Sequence, residues 1–141
     1  MPKMTPKQYL SQALAADKAI NRKVDRLADL YAACTKSTSL LTLTPGGGHD
    51  DRAFENRMAK YLRLRDEINA DIDRLVDLKT EIMQVIDAVP DENCRCILEK
   101  HYLQGKSYTV IGLEMGYTKR TVLRLLQKAV TLVKLPKDVT E

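Results

Sequence analysis

Apolar and small residues recur at 4,3 spacing through the first part of the chain: Leu10 and Ala13, then Ile20, Val24, Leu27, Tyr31 and Cys34, with Asp17 interrupting the series. The rhythm stops at Thr42-Leu43-Thr44-Pro45-Gly46-Gly47-Gly48-His49-Asp50-Asp51, the strongest punctuation in the sequence. It returns with Phe54, Met58, Tyr61, Ile68, Ile72, Leu75, Ile82, Ile86 and Val89, interrupted by Arg65 and Lys79. Such spacing predicts two long helices, each with a coiled-coil-like apolar stripe. A short connector makes them antiparallel neighbours, so residues 5–89 are expected to form a helical hairpin. Closing the connector sets Val24 opposite Ile68, Ile20 near Ile72 and Leu10 near Ile82. The same register brings Arg22 to Asp71, Arg26 to Asp66 and Glu67, and Asp29 to Arg63 and Arg65. Apolar residues then meet apolar ones and opposite charges meet. Exposed pairs of this kind contribute only ~0.2–1 kcal/mol each, so they specify register more than stability.

A second break, Val89-Pro90-Asp91-Glu92, opens a different pattern. Proline disfavours helix at the residue before it, and acidic residues suit the first turn of the next helix. Residues 91–103 read as a helix with Cys94, Ile97, Leu98, His101 and Tyr102 near one face, ended by Gln104-Gly105-Lys106. Ser107 is placed to cap a short helix over residues 108–115. Gly116-Tyr117 makes a tight turn, Thr118 caps again, and a longer helix runs from Lys119 to about Val133. Two helices joined by a short Gly-containing turn are the sequence form of a helix-turn-helix. Residues 91–136 are therefore expected to form a second domain, and the whole chain to be all-α.

Composition agrees. With 141 residues, one Phe, no Trp and six Gly, the chain suits long helices better than a β-sandwich. No apolar run approaches the length of a bilayer span and no apolar signal-peptide core is present, which points to the cytosol. The three cysteines, Cys34, Cys94 and Cys96, are too few and ill-spaced for a disulfide framework or a metal site, and His49 and His101 lie far apart. No nucleophile–base arrangement or phosphate loop is visible, since Gly46-Gly47-Gly48 is followed by His49-Asp50. Neither a cofactor, a metal nor an enzymatic activity is expected.

Charge sharpens the second domain. Residues 1–90 carry 14 basic and 13 acidic side chains, whereas residues 91–141 carry 9 and 6. Residues 117–136 contain five basic residues and no acid. Positive charge concentrated on one face suits a polyanion, because each neutralised phosphate releases a counterion. Successive helical residues are about 100° apart, which places Val122, Leu125, Ala129 and Leu132 on a buried side. Arg120, Arg124, Gln127 and Thr131 then point outward, with Lys119 and Lys128 on the flanks and Leu123 and Leu126 exposed. Arg reads guanine and Gln reads adenine in the major groove, while Lys and cap hydroxyls suit phosphates. The candidate duplex-DNA contacts are Lys106, Ser107, Thr118, Lys119, Arg120, Arg124, Gln127 and Lys128.

Residues 107–129, SYTVIGLEMGYTKRTVLRLLQKA, resemble the promoter-reading region four of bacterial sigma factors, through the Ile-Gly pair, the apolar-Gly turn, the hydroxyl cap and the Val122/Leu125/Ala129 core. The whole chain is similar to the small phage-encoded, sigma-factor-like regulators of the ArpU type. That likeness rests on residues 9–14 with 19–21, on residues 68–79 with Ile82-Met83, and on the C-terminal motif. The resemblance implies a phage or prophage protein of a Gram-positive host that controls late phage genes with host RNA polymerase. The chain lacks a counterpart of the sigma region that binds the upstream −10 element, which implies an activator or recruiter rather than a complete sigma factor.

Blander readings stand beside this one. A charged outer face can belong to an ordinary helical bundle, and the acidic column Asp73, Asp77, Glu81 can be a solvated face or a dock for a basic partner. An alternative function is a phage interaction module whose hairpin captures a host factor without direct DNA binding. A single reading helix gives limited selectivity, so a homodimer or polymerase assistance is the expected route to tight binding.

Overall fold

A computed structural model describes residues 4–43 and 51–136, the side chains of residues 36–51 excepted. The described chain is all-helical. It comprises α1 (Pro6–Leu43), α2 (Asp51–Asp87), α3 (Glu92–Leu98, prolonged by a π-helical turn Glu99–Leu103), α4 (Tyr108–Met115) and α5 (Lys119–Thr131). Most of the Gly-rich connector, including His49, lies outside the described residues.

Local chemistry sets these boundaries. Thr5 and Gln8 form a reciprocal cap: Gln8 N–H donates to Thr5 Oγ1 at 3.2 Å and Thr5 N–H to Gln8 Oε1 at 2.9 Å. Pro6 follows at the first helical position, where its missing N–H costs nothing. Pro90 separates α2 from α3, and Asp91 accepts from Asn93 N–H at 2.9 Å to start α3. The π turn closes with Gln104 N–H donating to Glu99 O at 3.0 Å, followed by Gly105 at φ 69°.

The chain divides into two compact units, residues 1–16 with 75–141 and residues 17–74. The expected border at Pro90, separating 5–89 from 91–136, is not where this division falls. The reason is the core of the first unit. Tyr9, Leu10 and Ala13 from the start of α1 and Ile82, Ile86 and Val89 from the end of α2 are as fully buried as Cys94, Ile97 and Leu98 of α3. Tyr102, Leu103, Ile111, Val122, Leu126, Ala129 and Val133 complete that core. The terminal segments of both long helices thus bury their stripes in the same unit as α3, α4 and α5.

In the second unit α1 and α2 meet through side chains. Lys23 Nζ lies 2.5 Å from Asp71 Oδ2 and 3.3 Å from Glu67 Oε1, and the Tyr31 and Tyr61 rings are 6.0 Å apart. Lys23, not Arg22, is the partner of Asp71; hydrogen bonding to Asp71 raises the Lys23 pKa and lowers that of Asp71. The apolar stripe of α2 divides in two. Ile68, Leu75 and Ile82 are buried, whereas Leu62, Ile72, Val76 and Met83 are exposed, as are Val24 and Tyr31 of α1. Val24 and Ile72, expected in the seam, are instead 44% and 40% exposed.

Candidate functional site

The candidate site is built on α4, the three-residue turn and α5. Ser107 Oγ accepts from Val110 N–H at 3.2 Å and Thr118 Oγ1 from Thr121 N–H at 3.2 Å, so each helix starts at its hydroxyl cap. Gly116 ends α4 at φ 77°, a left-handed conformation that glycine adopts without strain. Tyr117 N–H donates to Gly112 O at 2.8 Å. A Cβ on Gly112 would sit 2.5 Å from Tyr117 O, so only glycine lets the turn fold back this closely on α4.

Underneath, α5 packs on α3 and α4 through Val122, Leu126, Ala129 and Val133. The expected stripe of Val122, Leu125, Ala129 and Leu132 is corrected by this arrangement: Leu125 and Leu132 are half-buried and Leu126 is buried. Leu125 and Leu126 fall on either side of the Val122–Ala129 line, and it is the Leu126 side, shared with Tyr102 and Tyr108, that is buried. The rotation leaves the polar face outward. Lys119, Arg120, Arg124, Gln127 and Lys128 are all exposed, together with Thr118 and Ser107. Lys119, Arg120 and Arg124 enter no ion pair among the described residues. No acidic residue occurs on α5.

Lys106 stands apart from this group. Its Nζ lies 2.7 Å from Glu114 Oε1, and Lys100 Nζ lies 2.9 Å from Glu114 Oε2. The two ammonium groups, Lys106 foremost, hold the Glu114 carboxyl below the usual carboxylate range, and Glu114 raises the Lys100 pKa. The cluster sits on the last turn of α4, and Glu99 adds a second negative charge beside Lys100. Lys100 carries no sequence signal of this role, because its tie to Glu114 spans 14 positions. His101 lies beside this cluster, stacked 4.9 Å from the Tyr108 ring and with Nδ1 3.3 Å from Lys106 O.

The remaining chemistry is sparse. None of the cysteines is in a disulfide; Cys34 and Cys94 are buried, and burial with the nearby Asp91 pushes the Cys94 thiol up. Tyr9, buried in the core with its hydroxyl unpaired by ordinary hydrogen-bond geometry, has a pKa of about 12, raised by burial and then by Glu81. Among the described residues no cluster of His, Cys, Asp or Glu could hold a metal ion, and no helix is long and apolar enough to cross a membrane. Two exposed apolar side chains on this part of the surface are not announced by the periodicity of α4: Leu113 is 81% exposed and Val110 41%. The chain matches no protein-family model, no curated protein and no solved structure.

Proposed function

We propose that this protein is a sequence-selective duplex-DNA-binding transcription regulator, with α4, the turn and α5 acting as a helix-turn-helix. One observation carries the reading: an acid-free outer face on α5 presents exposed Arg120, Arg124 and Gln127, while the opposite face is anchored in the core. Arg120 and Arg124 would read guanine edges and Gln127 adenine, with Lys119 and Lys128 on phosphates. Ser107 and Thr118 spend their oxygen lone pairs on caps, so their hydroxyl hydrogens are what they would offer to phosphate. Lys106, held by Glu114, would add field rather than a direct contact.

α1 and α2 would form an antiparallel hairpin, since Lys23–Asp71 and Tyr31–Tyr61 pair rising positions on one helix with falling positions on the other. Control of phage late genes with host RNA polymerase, in the cytoplasm of a bacterial host, rests on the sigma-like and ArpU-like resemblance alone. A binding rather than catalytic role fits a sequence in which no nucleophile–base pair is visible. The second reading, a protein-interaction module, draws on Leu113 and Val110; the burial of Leu126 takes away one of the exposed leucines that would favour it.

A gel-shift series with DNA from upstream of the neighbouring genes separates the two. Regulation predicts salt-sensitive retardation of one fragment in the presence of excess unrelated duplex. Equal retardation of all fragments, or none, would count against it.

A further inference from the structure

The exposed side of α2 in the 17–74 unit carries a second heptad stripe. Met58, Leu62, Arg65, Asn69 and Ile72 follow one another at 4,3,4,3 spacing. Leu62 and Ile72 are 39% and 40% exposed, and Arg65 and Asn69 are exposed as well. This stripe lies beside the buried one that carries Ile68, so α1 covers only part of the apolar arc of α2. On α1, Tyr31 is 61% exposed and lines an apolar cleft with Met58 and Tyr61, which puts Tyr31 on the same side as the stripe.

Two features indicate what covers this side. A stripe repeating every seven residues, with the polar Arg65 and Asn69 between the apolar Leu62 and Ile72, suits a helix that pairs with another helix in a fixed register. The charges of α2 are also split along its length. Residues 52–65 hold five basic side chains (Arg52, Arg57, Lys60, Arg63, Arg65) against Glu55, a net of +4. Residues 66–74 hold four acidic ones (Asp66, Glu67, Asp71, Asp73) against Arg74, a net of −3. Lys23 offsets one of those acids and leaves the asymmetry in place.

We infer that this side of the 17–74 unit is a self-association face, on which α2 of a second copy packs antiparallel about a two-fold axis near residue 67. The antiparallel sense lays the basic half of each α2 on the acidic half of the other, whereas a parallel pair would set like charges side by side. A closed two-fold contact uses the same patch on both copies, as a self-complementary helix requires. The register sets Leu62 of one copy against Ile72 of the other, and Arg65 against the Asn69 and Asp66 positions. Asn69 disfavours slipped registers, in which it would face an apolar residue.

Light scattering of the full chain over about a hundredfold range of concentration tests this directly. The expected mass is twice the 16.0 kDa of one chain, falling towards one chain on dilution. Ile72→Glu should raise the dimer dissociation constant roughly 30-fold or more, with helix content by circular dichroism unchanged. Arg65→Glu, at an exposed position of the single chain where Asp66 is paired with it at 3.5 Å, should weaken the dimer in the same direction. Leu113→Ala, outside the 17–74 unit, should leave the mass unaltered. A monomer at every concentration, or a dimer indifferent to both Ile72→Glu and Arg65→Glu, would overturn the inference. Either result is independent of whether α5 binds DNA.

Discussion

Gly112 and the residues on α5 show two different demands on a single position. At Gly112 the demand is space. A methyl group placed 2.5 Å from Tyr117 O must push the turn away from α4, and backbone cannot yield as a flexible side chain does. Gly112→Ala should therefore destabilise the protein by about 1–3 kcal/mol, read as a lowered Tm. On α5 the demand is chemistry at a solvated surface. Lys119→Ala and Lys128→Ala should leave Tm within error. Each should reduce the slope of log affinity against log salt by about one if its ammonium neutralises a phosphate. An unaltered slope for both would remove them from the interface.

Among the elements, hydroxyl caps start α4 and α5, and the cation cluster ties α4 to the π turn and to the residue before Ser107. Thr118→Ala removes an N-cap that also touches Thr121 Oγ1 at 3.0 Å, and should cost about 1 kcal/mol of stability. The Lys100–Glu114–Lys106 cluster adds a pH dependence. The Glu114 pKa is lowered in the folded chain, so its contribution is complete above the ordinary carboxylate range. It is lost as pH falls through the lowered value. Glu114→Gln should accordingly flatten part of the acid limb of a Tm-against-pH curve and leave the neutral region nearly level; an acid limb identical to that of the unmodified chain would contradict this.

Elements of this kind are the most legible in the sequence. Ser107, Gly116 and Thr118 act on backbone groups within a few residues, so the bounds of α4 and the start of α5 follow from local chemistry alone. The π turn after α3 leaves no comparable mark. The rotation of α5 is equally hidden, because adjacent leucines at 125 and 126 satisfy helical periodicity in either orientation and only tertiary packing chooses between them. The split of the α2 stripe has the same cause: a wide apolar arc shows that a helix is covered, but not how much of it one neighbour covers.

For the molecule as a whole, the unit that contains the candidate site is discontinuous in sequence. Tyr9, Leu10 and Ala13 are separated from Ile97 and Leu98 by more than eighty positions, yet all are nearly inaccessible to solvent in one core. Nothing local announces such a union, and the Pro90 break suggests the opposite. Expressed alone, residues 91–136 should therefore lack a cooperative thermal transition, since they leave out the buried side chains of α1 and α2. A sharp transition near that of the full chain would show that α3 to α5 suffice.

In the proposed function, the outer face of α5 discriminates between DNA sequences. Fluorescence anisotropy of the full chain on its selected duplex and on a scrambled duplex of equal length, with and without Arg124→Ala, addresses it most directly. Arg124→Ala should lose ~1–3 kcal/mol on the selected duplex and much less on the scrambled one, so that the ratio of affinities collapses while Tm is retained. Full affinity and an undiminished ratio in the folded variant would contradict it.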